Sequence, residues 1–204
     1  MTGRALTRRT VLRTLGAGAA ATAFMPWLSD EGLAAFAHIQ AAKAPPRPRV
    51  LSVPQYATVE ALVEAIIPAD ERSPGAREAR VADYVDLLLS EAEDAVKQEW
   101  LDGLTALDVD ATRRFGAPFV RLDPGQLDAL LADLSRSERT AQKSPLEAFF
   151  AMTKQATVQG YYTSEIGIHK ELRYKGNQLL AEFTGCQTQD GKDCPYCGQK
   201  AEGR

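Results

Sequence analysis

Thr58-Val59-Glu60-Ala61-Leu62-Val63-Glu64-Ala65-Ile66-Ile67-Pro68 decides the fold class. Its large apolar residues, Val59, Leu62, Val63, Ile66 and Ile67, recur at the three-, four- and seven-residue spacing that gathers side chains on one helix face. Thr58 is placed as the N-cap, and Pro68 closes the element. Working outward, Pro68-Ala69-Asp70-Glu71-Arg72-Ser73-Pro74-Gly75 reads as a loop by its turn residues. Val81, Val85, Leu88 and Leu89 predict a second amphipathic helix. A third runs from about Ala95 through Trp100, Leu101, Leu104 and Leu107 to Phe115-Gly116.

Two further helices announce their own starts. Asp123-Pro124-Gly125-Gln126 supplies an N-cap, a proline at the first helical position and a glutamine three residues on, ahead of Leu127, Leu130, Leu131 and Leu134. Ser144-Pro145-Leu146-Glu147 repeats the pattern before Phe149, Phe150 and Met152. Period-two alternation never persists long enough for a strand, and no internal repeat occurs. The expected fold is all-α: a single domain of about five or six helices over residues 58–185, with Trp100, Phe149, Phe150 and the leucines as its core.

The N-terminus reads differently. Thr7-Arg8-Arg9-Thr10-Val11-Leu12-Arg13 precedes a run, residues 14–28, with no charge and many small residues. A basic flank before an uncharged stretch is the layout of an export signal, and the Arg8-Arg9 pair points to the twin-arginine route, which carries folded proteins. A spanning helix needs about 20 predominantly apolar residues, and this run is shorter and poor in Leu, Ile and Val. The alternatives are an uncleaved membrane anchor and a buried N-terminal helix. Residues 1–37 are therefore assigned to the signal, with small-residue cleavage sites at both Ala21-Thr22-Ala23 and Ala34-Ala35-Phe36-Ala37. Residues 38–57, containing Ala44-Pro45-Pro46-Arg47-Pro48-Arg49, are expected to be a stiff linker. The expected destination is the periplasm or the outer face of the inner membrane.

Composition narrows the function. The 204 residues are 45% apolar, enough for a core, and carry a formal charge of −3. Four arginines and two acids lie in residues 1–37, so the remainder carries −5. A mildly acidic body with scattered arginines argues against a nucleic-acid partner, which would call for a basic face. No Gly-x-Gly-x-x-Gly follows a strand, and neither a Gly-x-Ser-x-Gly elbow nor a His-Glu-x-x-His pair is present.

One block remains: Gly160-Tyr161-Tyr162-Thr163-Ser164-Glu165-Ile166-Gly167-Ile168-His169, continuing through Tyr174-Lys175-Gly176-Asn177 to Phe183-Thr184-Gly185-Cys186. Its glycines at 160, 167 and 176 interrupt the helical pattern and let backbone approach a neighbour. Together with the twin-arginine leader and the Leu62-to-Asp70 stretch, this block resembles the small subunit 3 (gamma) of gluconate 2-dehydrogenase and related membrane-bound sugar dehydrogenases. The resemblance covers most of the chain from Val59 to Cys186. It implies a helical accessory subunit, without a cofactor of its own, bound to a large FAD-containing (GMC-type) dehydrogenase subunit. That partner would pass electrons to a cytochrome, such as a cytochrome c subunit, or to a quinone. The small subunit would assist its maturation and its export through the twin-arginine translocase.

Tyr161, Tyr162 and Tyr174 are candidate partner-interface residues, since large rings with wet hydroxyls suit interfaces. The bland alternative puts at least one of them in the chain's own core. Glu165 and His169, at i and i+4, fit a structural pair or a partner contact together with Asn177. A metal site there lacks a second histidine at helical spacing. Cys186, Cys194 and Cys197, in a C-terminal tail over residues 186–204, admit several readings: a structural disulfide with one thiol left over, a metal or iron–sulfur cluster with an outside ligand, redox thiols in Cys194-Pro195-Tyr196-Cys197, or a disordered tail. The sequence thus favours a non-catalytic accessory subunit. The alternative is a small thiol-redox or cluster electron-transfer protein built on the C-terminal cysteines.

Overall fold

The computed structural model describes residues 27–42, 45, 47–136 and 144–176. Its elements in chain order are α1 (Asp30–Ala42), α2 (Val53–Ile66), α3 (Val81–Glu91), α4 (Asp94–Phe115), a 3₁₀ turn (Phe119–Arg121), α5 (Pro124–Ser135), α6 (Pro145–Thr163) and a π-helical turn (Gly167–Glu171). No strand occurs among the described residues. The all-α single-domain expectation holds. None of the helices among them is long and apolar enough to cross a membrane.

α6 is the hub, packing against α2, α3, α4 and α5. Phe149, Phe150, Met152, Ala156 and Tyr161 on it are all buried. α4 crosses it where Gly103 meets the Phe149 ring, so closely that a Cβ at position 103 would overlap that ring. Trp100, one turn earlier on α4, also meets the Phe149 ring, edge-on, with centroids 5.4 Å apart and planes at 84°. α4 ends as its sequence signals, with Gly116 in the left-handed conformation at φ 76°. The capping boxes of α5 and α6 form as spelled: the Asp123 carboxylate accepts from the Gln126 amide at 2.9 Å, and the Ser144 hydroxyl from the Glu147 amide at 3.3 Å.

Three expectations change. First, Thr58 is not a cap. α2 begins one and a half turns earlier at Val53, where the Ser52 amide and hydroxyl donate to Gln55 Oε1 at 2.9 and 2.8 Å. Thr58 is buried in mid-helix, its hydroxyl donating to the Pro54 carbonyl.

Second, α3 is not amphipathic in the ordinary sense, because residues 81–89 are all buried, acids included. Asp86 accepts the amides of Arg49, Val50 and Leu51 at 2.6, 3.1 and 2.9 Å. Asp83 accepts from the Tyr56 hydroxyl at 2.9 Å and from Arg80 Nε at 2.8 Å. Burial first, and the Asp83 carboxylate second, push the Tyr56 phenol far above its ordinary value, so it remains a donor. Buried acids are tolerated where donors satisfy them, and both are.

Third, the folded body starts before residue 58. Residues 30–42, assigned from sequence to the leader and linker, form α1 against α3, and residues 49–51 of the expected linker are fastened to Asp86. The physical reason is Phe36, only 1% exposed, whose ring meets Tyr84 edge-on at 5.4 Å.

Candidate functional site

Two blocks far apart in sequence meet at Tyr161. The loop after α2 is shaped by Asp70, whose Oδ1 accepts the amides of Arg72 and Ser73, each at 2.8 Å, and by Glu64, which accepts those of Ala69 and Arg77 at 3.3 and 2.8 Å. The Asp70 carboxyl is held below its ordinary value chiefly by those two backbone bonds. From α6, the Tyr161 hydroxyl donates to the Pro74 carbonyl at 2.7 Å and accepts from Ser73 at 2.8 Å. Burial pushes the phenol up, which keeps its proton in place. Tyr161 is 2% exposed, so it belongs to the core and is withdrawn from the interface role expected of it.

Its neighbour points the other way. Tyr162 is 40% exposed and stands edge-on to Tyr161, with centroids 5.3 Å apart. With Trp27 (59% exposed) and Val158 (42%) it lines a groove of about 670 Å³ along the outer face of α6, alongside Ala151, Lys154 and Gln159. Gln159 is buried, and its side-chain Oε1 has no hydrogen-bond partner among the described residues. An exposed apolar strip with a buried acceptor at its side is a surface suited to being covered. Sequence reasoning missed Trp27, which fell in the leader, and Val158. The one-turn spacing of Val158 and Tyr162 was the signal available.

The block after Tyr162 turns sharply. Ser164 Oγ donates to the Tyr161 carbonyl at 2.6 Å and accepts the Gly167 amide at 3.0 Å, which ends α6 and starts the π turn. Gly167 is required there, since a Cβ would overlap the Tyr161 carbonyl. Gly160 does not break the helix. It stays inside α6, where a Cβ would come within 2.8 Å of the Tyr84 ring.

Glu165 and His169 are both exposed and line one polar recess with Gln40, Arg80 and Lys170. The Glu165 amide donates to Gln40 Oε1 at 2.8 Å, tying this recess to α1. The i, i+4 face expected of the pair is altered, because the π turn changes the helical repeat between them. No group of three His, Cys, Asp or Glu residues gathers among the described residues.

Tyr174 is half exposed, close to the end of the described residues at 176. Asn177, Cys186, Cys194, Cys197, Arg8 and Arg9 lie outside the described residues.

A family model described as gluconate 2-dehydrogenase subunit 3 matches residues 54–178, more than half of the chain, which therefore belongs to that family. The matched span holds the loop after α2 and the Tyr161 contact, and most of the lining of the two recesses, Trp27 and Gln40 lying before it. No curated protein and no solved structure matches.

Proposed function

We propose, from membership of the gluconate 2-dehydrogenase subunit 3 family, that this chain is the accessory subunit of a membrane-associated, FAD-dependent gluconate or sugar dehydrogenase. The family match carries the reading. In it, the flavin resides in a large GMC-type catalytic subunit that hands electrons to a cytochrome or quinone, and this chain performs no redox chemistry itself. Its work is to bind that subunit, assist its maturation and take it through the twin-arginine translocase on the strength of Arg8-Arg9.

The groove lined by Trp27, Val158 and Tyr162 supports the reading as the docking face. Its exposed rings resemble the aromatic centre of a protein interface, and the neighbouring Glu165–His169 recess supplies a polar rim. The test is co-expression of the full chain with a flavoprotein subunit that lacks a signal. The two should co-purify from the periplasmic or membrane fraction, and Arg8→Lys with Arg9→Lys should strand the flavoprotein in the cytoplasm. Flavoprotein activity reaching the periplasm despite that double change would refute the escort role.

A further inference from the structure

Between Phe149 and Tyr162, α6 is enclosed on every side but one. Of residues 149–162, Ala151, Lys154, Gln155, Val158 and Tyr162 alone are not buried. Ala151, Gln155, Val158 and Tyr162 follow one another at steps of four, three and four residues, which makes them one strip about 16 Å long on the helix surface. Steps of that kind are how one helix packs along another. We propose that the strip is an interface between two copies of this chain, with their α6 helices antiparallel about a two-fold axis passing between Ala156 and Thr157.

The strip is complementary to itself in that arrangement. Such an axis sets Ala151 against the second copy's Tyr162, Gln155 against its Val158 and Lys154 against its Gln159. The smallest side chain of the strip therefore faces the largest, and Ala151 leaves the room that the exposed Tyr162 ring needs. The Gln155 stem covers Val158, which is exposed in the single chain.

The polar positions match as well. Gln159 lines the groove, is 6% exposed, and its Oε1 has no hydrogen-bond partner among the described residues. An unsatisfied buried acceptor is costly, and what it lacks is a donor. The last torsion of glutamine is broad, so the amide turns toward the groove at little cost. Lys154 is the one charge among the described residues lining that groove. Its ammonium has three donors, so a bond to the second copy's Gln159 does not require it to give up a contact in its own chain. A parallel pair offers none of this. It would set Lys154 beside Lys154 and Tyr162 beside Tyr162, and leave Ala151 facing Ala151 across a gap.

This pairing goes beyond the accessory-subunit reading and does not depend on it. A strip that holds a second copy cannot hold a flavoprotein at the same time. The pair is therefore the form of the free subunit, and a catalytic partner docking on the same face displaces it. A single pair of helices is a small interface, which places the dimer in the micromolar range.

Sedimentation equilibrium of the full chain, under reducing conditions and across micromolar concentrations, should show a monomer–dimer equilibrium. Ala151→Tyr fills the space for the opposing ring and Tyr162→Ala empties it, and each should raise the dissociation constant at least about tenfold. Both positions lie outside the core, so the variants should fold. Combined in one chain, the two changes exchange small for large and should bring the constant back to within about threefold of the parent. A chain that stays monomeric, a dimer that both single changes leave intact, or a double variant no tighter than the singles would each overturn the pairing. None of these results bears on the docking face, which co-purification of the unaltered chain with the flavoprotein reads separately.

Discussion

The Tyr161 hydroxyl and the Pro74 carbonyl, 2.7 Å apart, join the C-terminal half of α6 to the loop that leaves α2. This bond ties together the two sequence blocks by which the chain resembles its family. Tyr161→Phe keeps the ring and removes the bond, leaving the Pro74 carbonyl and the Ser73 hydroxyl each short of a partner. The expected loss is about 1–3 kcal/mol in chemical denaturation. It should be accompanied by faster amide exchange in the loop around Asp70 and Ser73, while α4 and α5 keep their protection.

Asp86 is a second such joint. Asp86→Ala strands three amides, those of Arg49, Val50 and Leu51, near a buried leucine. A loss of about 2–4 kcal/mol is expected, the order of magnitude for unsatisfied buried donors. Equilibrium urea unfolding measures it. A change under about 0.5 kcal/mol, the level of an ordinary surface substitution, would show that water replaces the carboxylate freely.

Gly103→Ala sets two effects against each other. Alanine favours a helix interior over glycine by about 1 kcal/mol. The new methyl, however, must enter the Phe149 ring, which is 2% exposed and packed edge-on to Trp100. Overpacking costs about 1–3 kcal/mol, so the variant should melt lower than the parent in a calorimetric scan. A raised melting temperature would mean that α4 and α6 can separate at little cost.

The loop after α2 should loosen in acid. The folded Asp70 carboxyl titrates below its ordinary value of 3.8, because the Arg72 and Ser73 amides favour its charged form. A depressed folded pKa contributes stability that is complete above the unfolded value and is lost as pH falls through the folded one. Amide shifts of Arg72 and Ser73 should therefore stay constant above about pH 5 and move together below pH 4, the range in which aspartate titrates. Asp70→Ala should abolish that movement.

How much of this was legible in sequence depended on how local the cause was. The boxes at Asp123 and Ser144 and the Gly116 stop are complete within four residues, and each was readable. Ser52 and Gln55 form the same kind of box, but the prolines just upstream drew the reading toward a linker. Ala34, Ala35 and Ala37 suit both a cleavage site and a helix. Long-range contacts, Phe36 against Tyr84 across nearly 50 positions foremost among them, separate the two. Asp83 and Asp86 look like a solvent face until their donors arrive from other segments. The groove combines Trp27 with Val158 and Tyr162, a pairing that no local pattern announces.

That groove is open to direct test. Val158→Glu changes an exposed residue and should leave thermal stability within about 0.5 kcal/mol of the parent. If the face docks the flavoprotein subunit, a charge in its centre should weaken binding by at least about tenfold, equivalent to about 1.4 kcal/mol. Quantitative pull-down or calorimetry against that subunit measures the change. Undiminished affinity would move the interface elsewhere on the body.

The bonds from Asp86 to residues 49–51 also alter what the proline-rich stretch is for. α1 is anchored on one side of it and these three amides on the other. A segment fixed at both ends is a strap, and its length does not set the reach of whatever precedes α1. Adding residues between Ala42 and Arg47 would enlarge a closed loop, at only about 0.6 kcal/mol for each doubling of its length. The distance from the body to its N-terminal address would stay the same.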